Sequence, residues 1–198
     1  MKKLLVGTTN LAKFNDYQQL LKGFNLEIVS LYDLHIEEPE ETGKDFEENA
    51  VLKAKYYYAK TGIPTLADDG GFEIEALGWA PGVRSHRWLG RKSTDEELIN
   101  EVYKQLNKTS NPSKKCRMRM VLAIAAPFGT VTSEGAVEGI VADKPSEKRI
   151  QGYPFRSVMY FPNYEKYFCD LSKEELEILD HRKAAVEKIS DIFKELSK

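Results

Sequence analysis

The chain has 198 residues, 41% of them apolar and 30% charged, with a formal net charge of −2. That is enough for one well-cored domain, and it excludes a broad electrostatic footprint on DNA or RNA; a local basic cluster holding a small anion such as a nucleotide is the partner this leaves. Cys116 and Cys169 are too few and too far apart for a zinc site or a disulfide framework and read as core thiols of a protein in a reducing cytosol, and no apolar stretch is long enough to span a bilayer.

Leu4-Leu5-Val6 reads as a buried first strand, cut short by the loop Gly7-Thr8-Thr9-Asn10. Phe14, Tyr17, Leu20 and Leu21 then recur at helical spacing over 13–22, with Gly23 as the stop, and 26–31 is a second strand. After an acidic run (Glu37, Glu38, Glu40, Glu41), Asp45 is placed to cap a helix over 45–60, with Glu48 as its reciprocal partner and Gly62 at the end. A short strand over 63–66 is expected to lead into Ala67-Asp68-Asp69-Gly70-Gly71, where the two glycines turn the backbone, and 72–77 alternates like a half-buried strand. A third helix starts at Ser93 or Thr94 and ends before Asn111-Pro112. The segments 118–126 and 130–141 form a hairpin around Pro127-Phe128-Gly129, 158–161 is a strand, Ser172 caps a short helix, and 181–196 is the closing one. Strands alternating with helices, plus one long hairpin, predict an α/β domain with a mixed sheet.

Five polar clusters carry the chemistry. Adjacent Asp68 and Asp69 are costly to bury without a cation, and a divalent metal such as magnesium is a common answer; a plain surface turn is the other reading. Thr8, Thr9, Asn10 and Lys13 sit where a strand meets a helix, so free N–H groups and the positive helix end would draw phosphate. Asn49 and Lys53 are one helical turn apart and share a face near Glu40 and Glu41. Ser85-His86-Arg87 and His181-Arg182 are further anion-binding candidates, equally compatible with surface turns.

In chain order these become Gly7-Thr8-Thr9-Asn10-x-x-Lys13, Glu41-Thr42-Gly43-x-x-Phe46-x-Glu48-Asn49-Ala50-x-x-Lys53-Ala54, Ala67-Asp68-Asp69-x-Gly71, Pro81-Gly82-Val83-x-Ser85, Glu134-Gly135-x-x-x-Gly139-Ile140 and His181-Arg182. In that order and spacing the chain resembles the inosine triphosphate pyrophosphatase family over essentially its whole length. The resemblance implies two α/β lobes around an elongated mixed sheet with a nucleotide cleft between them, and a cytoplasmic homodimer. It implies magnesium-dependent hydrolysis of non-standard purine nucleoside triphosphates to monophosphate and pyrophosphate, with no nucleic-acid or membrane partner. By the same analogy Glu41 and Asp69 ligate the metal, Asp69 is the base, and Lys53 and Asp68 support that centre. Thr8, Thr9, Asn10, Lys13, Asn49, Gly70, His181 and Arg182 would then contact the substrate.

The family's Phe-Gly-Tyr-Asp-Pro segment, which stacks on and reads the base, is here Gln151-Gly152-Tyr153-Pro154-Phe155-Arg156. Tyr153 or Phe155 could stack and Arg156 or Gln151 could contact a carbonyl, so an altered or relaxed base choice is expected. The competing readings are a nucleotide sensor that binds without turnover and an enzyme of the Maf type acting on modified pyrimidine nucleotides.

Overall fold

A computed structural model describes residues 1–198. In chain order the elements are β1 (Lys2–Val6), α1 (Leu11–Leu20), β2 (Leu26–Ser30), α2 (Phe46–Thr61), β3 (Thr65–Ile74), β4 (Ala80–Pro81), α3 (Asp95–Leu106), β5 (Lys115–Ala126), β6 (Gly129–Val141), β7 (Met159–Phe161), β8 (Lys166–Tyr167), α4 (Lys173–Ile178), α5 (His181–Lys188) and α6 (Ser190–Leu196). The strands form one mixed sheet in the order β2-β1-β3-β5-β6-β7-β8, with β4 paired to β3. β1 runs parallel to β2 and β3, and β6, β7 and β8 pair antiparallel. The chain forms two compact units, one of residues 1–69, 120–135 and 182–198, the other of residues 70–119 and 136–181.

In the first unit β1 alternates its side chains between two cores. Leu4 and Val6 pack with Leu66 of β3, Tyr17 of α1, and Ala185 and Phe193 of the last two helices. Leu5 packs on the other side with Leu31 and Tyr57 of α2. The helices start where their caps dictate. Asn10 accepts from the N–H groups of Ala12 and Lys13, so α1 begins at Leu11, two residues ahead of the periodicity. Asp45 caps α2 by accepting from Glu48 N–H, but Glu48 Oε2 accepts from Lys44 N–H, so the reciprocal box does not close. Gly62 ends α2 in the left-handed conformation. The closing helix is interrupted at Ile189, giving α5 and α6.

In the second unit the core is built from Phe72, Ile74, Leu98, Ile99, Val102, Val137, Val158 and Phe161, with Cys116 buried among them. Cys169 is also buried, and both thiols are free. Thr94 caps α3 and Ser172 caps α4, each through a complete capping box. The β5–β6 hairpin turns at Pro127-Phe128.

The expected turn at Gly70-Gly71 is absent: β3 runs unbroken from Thr65 to Ile74 through all four residues of the Asp-Asp-Gly-Gly sequence. The reason is local packing. A Cβ on Gly71 would lie 2.2 Å from Ser85 Oγ and 2.6 Å from the Gly82 carbonyl, so glycine permits a close backbone approach here instead of a bend. Ser85 Oγ accepts from Phe72 N–H and donates to the Gly82 carbonyl, which makes it a buried clamp and corrects its reading as an anion contact. The strand expected over 72–77 stops at Ile74 and gives way to a 3-10 turn over Glu75–Leu77, because Phe72, Glu73 and Ile74 are all buried and the polar–apolar alternation is not an in–out alternation.

Candidate active site

Two adjacent carboxylates on one strand point to opposite faces. Asp68 therefore lies on the side of Leu66 and of α1 and α5, and Asp69 on the side of α2. Their partners follow this division. Lys13 Nζ, one turn into α1, donates to Asp68 Oδ1 at 3.0 Å, and Arg182 Nε of α5 stands 3.8 Å from Asp68 Oδ2 and its NH1 3.5 Å from Asp16. α5 is held in place by Ser133 Oγ donating to the Ala185 carbonyl and Lys188 Nζ donating to the Glu134 carbonyl. On the other face Asn49 Nδ2 donates to Asp69 Oδ2 at 2.9 Å, and Lys53 Nζ stands 2.9 Å from Glu41 Oε1 and 3.8 Å from Asp69 Oδ1.

The orientation of Asn49 is set from its other end, where its Oδ1 accepts from Gly43 N–H at 2.7 Å. A Cβ on Gly43 would fall 2.4 Å from that oxygen, so only glycine lets the loop after Glu41 reach the helix this closely. The Glu-Thr-Gly sequence thus works as a unit: glycine docks on Asn49, and the docking brings Glu41 to Lys53.

The electrostatics separate the two aspartates. Burial works to raise the Asp68 carboxyl, but the charges of Lys13, Arg182 and Lys53 outweigh it and hold it down at about 2. For Asp69 burial wins: its carboxyl sits above the ordinary value, against the charge of Lys53 and the Asn49 hydrogen bond, and with the Glu41 charge adding to the rise. The Lys53 ammonium is shifted upward, since Asp69, Asp68 and Glu41 together overcome the cost of its burial. Asp68 is thus a fixed anion, and Asp69 is the basic member of the pair.

Asp68 also sets a stability expectation. Its folded value lies below the unfolded value of 3.8, so its contribution is present above about pH 4 and lost as pH falls through about 2. The contribution is on the order of 2 kcal/mol. In urea unfolding with chelator present, the stability difference between wild type and Asp68→Asn should shrink between pH 4 and pH 2 and stay flat between pH 5 and pH 7.

The Thr8 to Lys13 loop differs from the expected open cradle. Thr8 N–H is bonded to the Val6 carbonyl, and the Asn10 side chain satisfies the N–H groups of Ala12 and Lys13, which the anion reading had left for phosphate. Thr8 Oγ1 accepts from Asn10 N–H, Thr9 Oγ1 donates to Glu38, and Tyr32 donates its hydroxyl to the Thr9 carbonyl. The Thr8 hydroxyl proton and the Lys13 ammonium remain as the groups suited to an anion, whereas the Thr9 hydroxyl has given its one proton to Glu38. Tyr32 and Glu38 escaped the sequence reading because nothing in a loop of this composition predicts which way it folds back.

In the second unit Phe155 is 3% exposed and its ring stacks on Phe72 with centroids 4.8 Å apart, so it belongs to the core packing. Tyr153 is half-buried, and the Arg156 guanidinium lies over its ring at 4.4 Å and over Phe168 at 4.9 Å. Gln151 is exposed, Gly70 continues β3 past Asp69, and His181 is buried at the start of α5. His86 and Arg87 are exposed.

Glu41 and Asp69 offer carboxylate oxygens to either side of one ammonium, an all-oxygen pair of the kind magnesium takes when substrate phosphates and water complete its shell. No three His, Cys, Asp or Glu side chains converge, so the protein by itself forms no closed metal cage.

The model of the Ham1 family matches residues 4–192. The chain belongs to the Ham1 family. It is 35% identical over 195 residues to a dITP/XTP pyrophosphatase of Bacillus anthracis, covering 96% of each chain. A Ham1 protein structure from Coxiella burnetii aligns with a TM-score of 0.89 at 31% identity, over 98% of this chain and 100% of that one. The structure of the Staphylococcus aureus Ham1 protein aligns at 0.85 and 27% identity, over 98% and 99%. Within the Ham1 family fold, then, this chain's open mixed sheet flanked by helices carries Lys13, Lys53, Glu41, Asp68 and Asp69 in the first compact unit. No helix is long and apolar enough to cross a membrane.

Proposed function

We propose that the chain is a nucleoside-triphosphate pyrophosphatase that hydrolyses non-standard purine nucleoside triphosphates to monophosphate and pyrophosphate with magnesium. All 198 residues serve as one catalytic domain, which works as a cytoplasmic homodimer. The observation that carries this reading is the shared lysine: Lys53 draws Glu41 and Asp69 to within 4 Å of one ammonium, while Asp68 and Lys13 pair on the other face of the same strand. The names of the Bacillus anthracis relative and its kin support the same reaction class.

Glu41 and Asp69 are the residues to hold magnesium, which when bound supplies charge neutralisation at the phosphates and a more acidic water. The other work falls to the chain. Asp69 takes the proton from the attacking water as the new bond from that oxygen to the α-phosphorus forms and the bond from the α-phosphorus to the bridging oxygen breaks, releasing pyrophosphate. Lys13 and Lys53 offset the charge on the departing pyrophosphate, Thr8 adds a hydroxyl contact and Thr9 one that requires release of its bond to Glu38, Asn10 holds the helix start behind them, and Asn49 fixes the turn of the Asp69 carboxylate. Asp68 keeps Lys13 and Arg182 placed; Gly70 and His181, next in sequence to Asp69 and Arg182, complete the proposed set of substrate contacts. No covalent intermediate is needed.

Base choice is the part that departs from the family. Tyr153, clasped by Arg156, is the remaining ring for stacking, and Pro154 stands where the family has its carboxylate, with the Arg156 guanidinium two residues on, so relaxed or altered base preference is the proposed outcome. Pyrophosphate release from ITP, XTP, dUTP and the four standard triphosphates, with and without magnesium, tests both parts. A wide preference for ITP and XTP defeats the altered-choice part, and tight nucleotide binding with no release from any of them replaces the enzyme with a sensor. Light scattering of the purified chain tests the dimer.

A further inference from the structure

Beneath the Asp68 carboxylate lies a group that the reaction outlined above does not use. Tyr17 is 0% exposed and sits one turn along α1 from Lys13, so both side chains approach Asp68 from the same helix face. The Tyr17 hydroxyl is buried with no hydrogen-bond partner, and so is Asp68 Oδ2, whose companion Oδ1 holds Lys13. A buried phenol has one proton to give, and an ionised carboxylate can only accept. Tyr17 belongs to the core on the Asp68 side of β3, and the Asp68 carboxylate is near enough to act on its phenol; the other donor facing Oδ2, Arg182 Nε, stands 3.8 Å away, beyond a hydrogen bond. Burial and the neighbouring Asp68 charge push the Tyr17 phenol well above its ordinary value, against the charge of Arg182, so the hydroxyl keeps its proton throughout the working range.

We propose that Tyr17 is a positioning residue: its O–H donates to Asp68 Oδ2 and fixes the turn of that carboxylate, so that Oδ1 presents Lys13 to the polyphosphate. The inference rests on the polyphosphate role given to Lys13 above. Sequence spacing gives Tyr17 only as one of four apolar-face residues of a helix, alongside Phe14, Leu20 and Leu21. Its hydroxyl gains meaning from Asp68, which is 51 residues away in the chain.

Tyr17→Phe in the full chain keeps the ring and removes the oxygen. The KM for ITP and the Kd for inorganic tripolyphosphate should each rise about tenfold, the size of a lost hydrogen bond to a charged group, with kcat changed by less than about threefold. In an Asp68→Asn background the same change should move tripolyphosphate affinity by less than about twofold, because the two groups act as one unit. Wild-type KM and tripolyphosphate affinity in Tyr17→Phe overturn the inference, with or without a drop in Tm, since the hydroxyl then serves packing alone. Should that variant not fold, proton NMR of the wild type decides: an exchange-protected Tyr17 hydroxyl proton supports the bond, and a freely exchanging one overturns it. If the wild type releases pyrophosphate from no nucleotide, the proposed function fails while the tripolyphosphate comparison still decides the role of Tyr17.

Discussion

Asp69→Asn should yield a folded protein that binds nucleoside triphosphate and releases pyrophosphate at least about 10²-fold more slowly than wild type, the scale of losing one preorganised electrostatic group. The amide can keep the Asn49 hydrogen bond only by turning its own oxygen toward Asn49 Nδ2, which aims its NH2 at the Lys53 ammonium. On the roles proposed for Asp69, the base and a metal ligand are thus lost together. Stability should move the other way. Because burial raises the folded Asp69 carboxyl above its unfolded value, its ionised form at neutral pH subtracts from stability, and a neutral amide removes that penalty. Without magnesium, Asp69→Asn should melt at or above the wild-type Tm; adding magnesium should raise the Tm of wild type and leave the variant unmoved. A variant that loses activity by unfolding, or one that still turns over at the wild-type rate, refutes this assignment of Asp69.

Lys53→Met should be costly in both stability and rate. Methionine fills nearly the same volume but leaves Glu41 and Asp69, and the field of Asp68 behind them, without their shared cation. Breaking a buried pair from one side costs about 3–5 kcal/mol; Glu41 is partly exposed here and can turn to solvent, so a loss nearer 2 kcal/mol is expected. Magnesium would supply part of the missing charge, and the Tm of Lys53→Met should therefore climb more steeply with magnesium than that of wild type. Turnover should nonetheless fall about 10²-fold, since magnesium held by Glu41 and Asp69 would not replace the charge that the lysine is proposed to set against the leaving pyrophosphate. The two variants form a pair: one gains stability as it loses rate, the other loses both.

The sequence made the helix starts legible because caps are local. Asp45, Thr94 and Ser172 each declare themselves within four residues, and the structure uses all three. Asn49 and Lys53 were legible for a similar reason, since one turn of helix fixes which side chains share a face. Misreadings arose where distant packing overrules local preference. Gly70-Gly71 has turn composition, yet Ser85 and Gly82, more than ten residues on, require a strand with no Cβ there. Phe155 has the chemistry of a stacking ring, but Phe72 covers it. The N–H groups of α1 were counted as phosphate donors although Asn10, in the same motif, was able to claim them, and does.

The unbroken course of β3 also bears on how the sheet finds its alignment. β1 and β3 meet through Leu5 opposite Thr65 and Val6 opposite Leu66. Sliding β3 by one residue would flip every side chain, sending Leu66 and Asp68 toward α2 and bringing Ala67 and Asp69 under α1. Asp69 would then take the place of Asp68 opposite Lys13 and Arg182, Gly70 would leave Lys53 and Asn49 facing no carboxylate, and Asp68 would be carried to the position of Ala67, toward the Leu5 core. The adjacent aspartates therefore double as a key for strand pairing: a mispaired chain is penalised at the very positions proposed to serve hydrolysis, so alignment and the proposed chemistry stand or fall together.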